Sequence, residues 1–253
     1  MMQLRSLLFV AYLYGLMAFM GTFFILVLML PRRVIMWCIK AYTQAIRWGM
    51  KAICGIETEL RGLENLPDGP FIYAGKHQCM FDIFVPFLVT PDPVIVMKRE
   101  LLWYPFLGWY ALKSEMIPID RAGTTKTLRA MVAAARKRVA EGRQVVIFPE
   151  GTRTAPGDAP HYHAAGIVGL YKALGVPVVP VATNAGLCWP AHGTRRRSGR
   201  IVYEFLPPIE AGLDRKTMMR RLQTDMEASV DALVREGLAV QGRTQPIQDP
   251  QAT

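Results

Sequence analysis

Residues 7–30 contain no charged side chain. A helix needs about 20 predominantly apolar residues to cross the hydrocarbon core of a bilayer, so this run is long enough to span one. A secretory signal would have a shorter apolar core and a small-residue cleavage site, and neither precedes Pro31-Arg32-Arg33. Arg32, Arg33, Lys40, Arg47 and Lys51 follow the run, against Arg5 and the terminal amine ahead of it. By the positive-inside rule the rest of the chain is expected in the cytoplasm. The segment can also dip into one leaflet. Residues 34–53 continue as a second apolar helix studded with basic groups, and Trp37, Tyr42 and Trp48 suit the headgroup level. Spanning and half-inserted seatings both remain open.

Composition bounds the remainder. With 253 residues, 20% charged and 51% hydrophobic, the chain holds one large domain plus an appendage and is neither disordered nor fibrous. A formal net charge of +10 favours an anionic partner, such as a phosphate-bearing substrate, an acidic carrier or an anionic bilayer. A nucleic acid would suit the charge, but no basic reading helix is recognisable, so no specific nucleic-acid partner is expected. Cys38, Cys54, Cys79 and Cys188 show no paired spacing and read as reduced packing residues, with no zinc site.

Three stretches are expected: membrane-associated helices over residues 1–56, an α/β domain over 57–240, and a polar, disordered tail over 241–253. After Gly62 short β-rich runs alternate with helical ones, which predicts a mostly parallel or mixed sheet flanked by helices. Candidate strands cover 71–74, 94–97, 116–119, 145–148, 178–182 and 201–205. Candidate helices cover 125–141, 164–174 and 214–237. The first carries a buried stripe of Leu128, Met131, Val132, Ala135 and Val139, and the last one of Met218, Leu222, Met226, Val230, Leu233 and Val234.

His77 is followed five positions later by Asp82. In a regular helix that spacing puts two side chains roughly 140° apart, so the pair needs a bend to face one point. Residues 71–74 read as a buried strand and 81–84 as a helix start, with Asp82 in its acid-favouring first turn. His77 then lies on the turn, where the Asp82 carboxylate can fix its tautomer and leave the other ring nitrogen free to take a proton from a hydroxyl. Standing alone, the spacing also fits a histidine that satisfies a loop hydrogen bond.

Three further stretches stand at strand ends, where an α/β sheet usually places its site. Residues 116–121 end in Asp120 and Arg121, and an arginine presents a planar fork suited to phosphate. Phe148-Pro149-Glu150-Gly151-Thr152-Arg153 follows a strand: Gly151 permits a tight turn, Glu150 can accept from a substrate hydroxyl, and Arg153 can hold a phosphate. Residues 176–181 form a proline-framed apolar strand whose Val178, Val179 and Pro180 can line a slot for a hydrocarbon chain. Met80, Phe81, Phe84, Phe87, Trp103 and Tyr104 offer a second set of apolar walls. His161 and His163 lack a nearby third ligand for a metal.

In this order the four stretches resemble the glycerolipid acyltransferase family, over roughly residues 61–208. His77 and Asp82 match the family's His-x4-Asp, Arg121 the arginine closing its second block, Glu150 to Arg153 its third block, and residues 176–181 its fourth. Lys98, with Pro105 and Gly108 after it, is similar to the segment between the first two blocks. Ser114 and Pro118 depart from the second block, Thr154 replaces a frequent serine, and His161-Tyr162-His163 stands where relatives often carry a lysine. The resemblance implies an α/β acyltransferase fold, a membrane-seated N-terminal element, and no metal or cofactor. It implies transfer at a bacterial-type inner membrane from acyl-CoA or acyl carrier protein to lysophosphatidic acid, or to another acceptor such as lyso-ornithine lipid, another lysophospholipid or glycerol-3-phosphate. His77 and Asp82 are then the catalytic pair, with Glu150, Gly151, Thr152, Arg153, Arg121 and Lys98 binding substrate. A membrane-anchored scaffold with a degenerate domain would be expected to have lost His77, Asp82 or Glu150, and all three are present.

Overall fold

A computed structural model describes residues 2–23, 26–120 and 125–246. The uncharged N-terminal run forms α1 (Met2–Phe23) and a 3-10 turn at Leu26–Met29. After Pro31 the amphipathic α2 (Arg32–Gly49) continues through a π-helical turn, Met50–Cys54, and stops at Gly55, whose φ of 67° lies in the left-handed region that glycine enters freely. The α/β body follows as β1 (Ile56–Arg61), β2 (Ile72–Gly75), α3 (Val85–Val89), β3 (Pro93–Lys98), α4 (Leu107–Lys113), β4 (Ile117–Ile119), α5 (Thr125–Ala140), β5 (Gln144–Ile147), α6 (Ala164–Leu174), β6 (Val178–Thr183), β7 (Gly199–Phe205) and α7 (Arg215–Val240).

The seven strands form one mixed sheet in the order β1-β7-β6-β2-β5-β3-β4. Every neighbouring pair is parallel except β6 and β7. Successive side chains of a strand point to opposite faces, and here both faces are covered. Ile72, Val145, Val178 and Val202 pack with α5, α6 and α7 into one core, while Tyr73, Val146, Val179 and Tyr203 pack with α1 and α2 into the other. This double burial explains the near-continuous apolar runs of β2, β5 and β6.

All six expected strands are present. The seventh, β1, escapes a hydropathy reading because Glu57, Glu59 and Arg61 alternate along an edge strand that pairs with β7 alone. The expected helices appear as α5, α6 and α7. Asp214 caps α7, its Oδ1 accepting from the N–H groups of Lys216 at 2.9 Å and Thr217 at 3.1 Å. The short α3 and α4 have too few turns to show a period.

The contacts of α1 and α2 favour a helical pair lying along the α/β body. Near the start of α1, Ser6 Oγ accepts from Arg196 N at 2.9 Å, and Phe9 meets Trp189 edge-on at 5.3 Å. Near its end, Gly21 lies against the Phe106 ring. Both ends of α1 thus meet the same α/β body. On α2, Arg32 pairs with Asp92 at 2.7 Å, Lys40 donates to the carbonyls of Thr90 and Pro91, and Arg47 donates to the carbonyl of Thr58. Three of the five basic residues that signalled topology in the sequence therefore dock the helix onto the domain. By length and composition α1 still suffices for a membrane span, and its outward residues Leu4, Leu7, Leu8, Tyr14 and Phe19 are exposed.

Candidate active site

The strand β2 ends at Gly75, in the centre of the sheet, and is followed directly by Lys76 and His77. His77 Nδ1 lies 3.0 Å from Asp82 Oδ2 across a bend made by the 3-10 turn Met80–Ile83. Asp82 is 1% exposed, and a bare carboxylate at that depth would be costly. Its oxygens are fully engaged: Oδ2 also accepts from the N–H groups of Gln78 at 2.6 Å and Cys79 at 2.7 Å, and Oδ1 accepts from Tyr203 Oη at 2.7 Å and Cys79 Sγ at 3.3 Å. Surrounded by donors, the carboxylate offers only acceptor oxygens to the ring, so His77 Nδ1 carries the hydrogen and donates it to Oδ2. The basic lone pair of His77 is thereby placed on Nε2.

His77 borders a cavity of about 750 Å³. Its ring rests on Phe148, with centroids 4.6 Å apart, and its side chain keeps 15% of its exposure. The cavity runs between Met17, Met20 and Tyr42 of the N-terminal helices and Leu128, Met131 and Ile147 of the α/β body. Most of its wall is apolar, while Lys98, at the end of β3, brings a cationic group to it. Met80, Phe84 and Phe87 line the cavity as expected, but Phe81 is buried in the core and Trp103 and Tyr104 face solvent. The residues expected from the fourth block do not line it: Val178, Val179 and Pro180 are buried mid-sheet on β6, filling the cores on the two faces.

The third block does not sit as expected either. Gly151 does make the tight turn, with φ 67° and its N–H donating to the Phe148 carbonyl at 2.9 Å, and it lines the cavity. A Cβ there would lie 2.9 Å from His163 Cδ2, so the glycine also makes room for the imidazole of His163, a cavity residue the sequence left unassigned. Glu150, expected to accept from a substrate hydroxyl, is 1% exposed and faces away from the cavity. Its Oε1 accepts from Lys76 Nζ at 2.9 Å and its Oε2 lies 3.5 Å from His77 N. Lys76 in turn reaches Glu227 of α7 at 2.9 Å, and Glu227 accepts from Tyr162 Oη at 2.6 Å. From the other side, Thr154 N–H donates to the His77 carbonyl at 2.8 Å. The block thus holds the backbone on which His77 is mounted. Thr152 is exposed and Arg153 half-buried in the same loop. Arg121 lies outside the described residues; Asp120, just before it, borders the cavity.

Burial sets the state of two polar groups beside Asp82. Burial pushes the Cys79 thiol well up, and the Asp82 carboxylate adds to the effect, both of which disfavour the thiolate that a nucleophile needs. Burial likewise pushes the Tyr203 phenol well up and keeps it a donor to Asp82. Replacing Cys79 with serine, which retains a donor to Asp82, is expected to leave transferase activity within a few-fold of wild type. Loss of nearly all activity in a folded Cys79→Ser protein would restore a covalent route. In the basic run at 195–197, Arg196 is 6% exposed, stacks 4.3 Å over Trp189, and has no carboxylate partner among the described residues. Burial pulls its guanidinium below the ordinary arginine value.

The sequence pattern of the family called Acyltransferase matches residues 57–184, half of the chain and all of the turn that carries His77 and Asp82. A curated 1-acyl-sn-glycerol-3-phosphate acyltransferase from Pseudomonas aeruginosa is 33% identical over 196 residues, spanning 78% of this chain and 76% of that protein. The chain belongs to the acyltransferase family. A plant relative of the same name from Limnanthes alba is 32% identical over 157 residues, 61% of this chain and 55% of its own length. The fold is that of the 1-acyl-sn-glycerophosphate (LPA) acyltransferase PlsC from Thermotoga maritima, with a TM-score of 0.77 over 92% of this chain and 98% of that one at 21% identity. As an acyltransferase, the protein carries its histidine and carboxylate where the family match lies, whereas Tyr203 and Glu227, which brace them, fall beyond the matched residues. No motif spacing links positions 121 and 151 residues apart from their partners, so only their burial in the folded chain reveals them.

Proposed function

We propose that the protein transfers a fatty acyl group from acyl-CoA or acyl carrier protein to the 2-hydroxyl of 1-acyl-glycerol-3-phosphate, giving phosphatidic acid. The observation that carries this reading is the His77–Asp82 pair, with Nε2 left basic, on the wall of an apolar cavity that also reaches Lys98. The P. aeruginosa and L. alba relatives, both called 1-acyl-sn-glycerol-3-phosphate acyltransferases, support it.

A thioester is already activated and its thiolate leaves readily, so the chemistry asks for a base, an oriented acceptor and support for a developing oxyanion. His77 Nε2 takes the proton of the acceptor hydroxyl as its oxygen attacks the thioester carbonyl. The tetrahedral intermediate collapses, the C–S bond breaks, and the imidazolium returns its proton to the thiolate. An ester and a free thiol result, and His77 ends as it began. Asp82 fixes the ring and stabilises the imidazolium throughout. Lys98, Arg121 and Arg153 provide cations for the acceptor's phosphate. The acyl chain occupies the cavity between the N-terminal helices and the sheet, and the acceptor enters from the cytoplasmic leaflet of the membrane.

The deciding assay offers purified protein one labelled acyl donor and a panel of acceptors. Labelled phosphatidic acid formed from lysophosphatidic acid at a kcat/KM at least about tenfold above that for other acceptors is the expected result. Preference for a lyso-ornithine lipid or for glycerol-3-phosphate would reassign the acceptor, and no transfer with any donor and acceptor would overturn the enzymatic reading.

A further inference from the structure

Five large apolar side chains within ten residues stand in solvent: Trp103 at 85% exposure, Tyr104 at 60%, Leu107 at 37%, Trp109 at 42% and Leu112 at 59%. Isolated apolar residues are ordinary on a protein surface, but a cluster of this size marks a surface with a partner. The segment is a 3-10 turn, Arg99–Trp103, followed by α4, and it presents two different faces. Inward, Leu101, Phe106 and Tyr110 wall the cavity that His77 borders. Outward lie the aromatic rings.

The way this segment is attached says what covers it. Phe106 adopts φ 65°, in the left-handed region that non-glycine residues avoid, and its ring lies against α1 where Gly21 has no side chain. A Cβ on Gly21 would come within 2.0 Å of Phe106 Cδ1. Trp109 meets Phe106 edge-on at 5.4 Å. The patch is therefore fastened to the end of α1 and continues the outward apolar surface of the two N-terminal helices, where Phe19, Met29, Leu30 and Trp37 are exposed. Exposed Arg33, Lys98 and Arg99 accompany it, with Glu100 the one exposed acid of the turn. Tryptophan and tyrosine beside basic groups are the composition of a membrane interface, and the cations complement anionic headgroups.

We infer that residues 99–113 form a second membrane contact, separate in sequence from α1 and α2, that seats in the headgroup region of an anionic bilayer. Trp103 and Trp109 anchor it, and the cavity wall on its inner side is thereby held at the depth where a lipid acceptor lies. The inference deepens the proposed function by naming the surface from which the lipid is taken.

The test uses the full chain carrying Trp37→Phe and Trp48→Phe, which leaves Trp103, Trp109 and the buried Trp189 as emitters. It is reconstituted into phosphatidylglycerol-containing vesicles with and without brominated acyl chains. Bromination is expected to quench emission by about half, and adding Trp103→Phe and Trp109→Phe should remove that quenching while circular dichroism is unchanged. Quenching of the two residues by aqueous iodide and not by brominated lipid would overturn the inference, as would shielding from both quenchers in a self-associated form. A kinetic arm separates this from the reaction itself. Trp103→Ser/Trp109→Ser should raise KM for a vesicle-borne acceptor about tenfold and leave kcat with a short-chain, water-soluble acceptor unchanged. Equal KM for the vesicle-borne acceptor in variant and wild type would also count against it. If the wild type acylated no lipid at all, the proposed function would fail, and the quenching would still decide the membrane contact.

Discussion

Replacing His77 with alanine is expected to lower acyl transfer by about 10²- to 10⁴-fold, the usual contribution of a positioned general base, with the protein still folded. The imidazole can be lost without collapse because it sits at the cavity wall, 15% exposed, and packs mainly on Phe148. Its loss leaves Asp82 with four remaining donors, from Gln78, two groups of Cys79, and Tyr203. Turnover by single-turnover transfer of a labelled acyl group, read beside circular dichroism, checks the prediction. Wild-type turnover in a folded His77→Ala protein would sink the mechanism. Asp82→Asn should behave differently. An amide places an N–H₂ among groups that are themselves donors, so this variant loses stability as well as rate and retains a small residual activity.

The second large effect is on folding. Lys76 Nζ stands 2.9 Å from both Glu150 and Glu227, with its side chain 3% exposed and that of Glu150 1% exposed. Removing one partner of a buried ion pair strands the other charge, at a cost of about 3–5 kcal/mol. Lys76→Met should therefore destabilise the protein by that order, and a chemical denaturation midpoint measures it. The companion Lys76→Met/Glu150→Gln, which removes the stranded charge, should recover a large part of the loss. If Lys76→Met unfolds at the wild-type midpoint, the cluster is not a buried brace. The brace also bears on catalysis, since Glu150 Oε2 lies 3.5 Å from the backbone N–H of His77.

The sequence made the sheet legible wherever a strand is buried on both faces. Residues 145–147 and 178–182 are unbroken apolar runs and could be nothing else in an α/β pattern. It hid β1, because an edge strand with Glu57, Glu59 and Arg61 in alternation buries too little apolar surface to mark itself. In the site, His77 and Asp82 were legible because a local bend brings them together within six residues. Glu150 was legible as important but not in its role. A carboxylate after a strand looks alike whether it faces a substrate or a buried lysine, and the difference lies in Lys76 and Glu227, which are 74 and 77 residues away.

What the sequence determined by itself is the chemistry available and its local frame: the histidine, its carboxylate five residues on, the alternation of strands and helices, and an apolar N-terminus of membrane length. Each depends on spacing or composition, which a linear chain displays. The tertiary structure alone decided which way those groups face. It placed α1 along the domain by contacts at Ser6 and Gly21, turned Val178 and Val179 into the two cores and away from the cavity, and surrounded Asp82 with Tyr203 from a distant strand. Burial and pairing between residues far apart in the chain arise only when the sheet assembles, and in this protein they turn a suggestive spacing into a histidine held by a buried carboxylate.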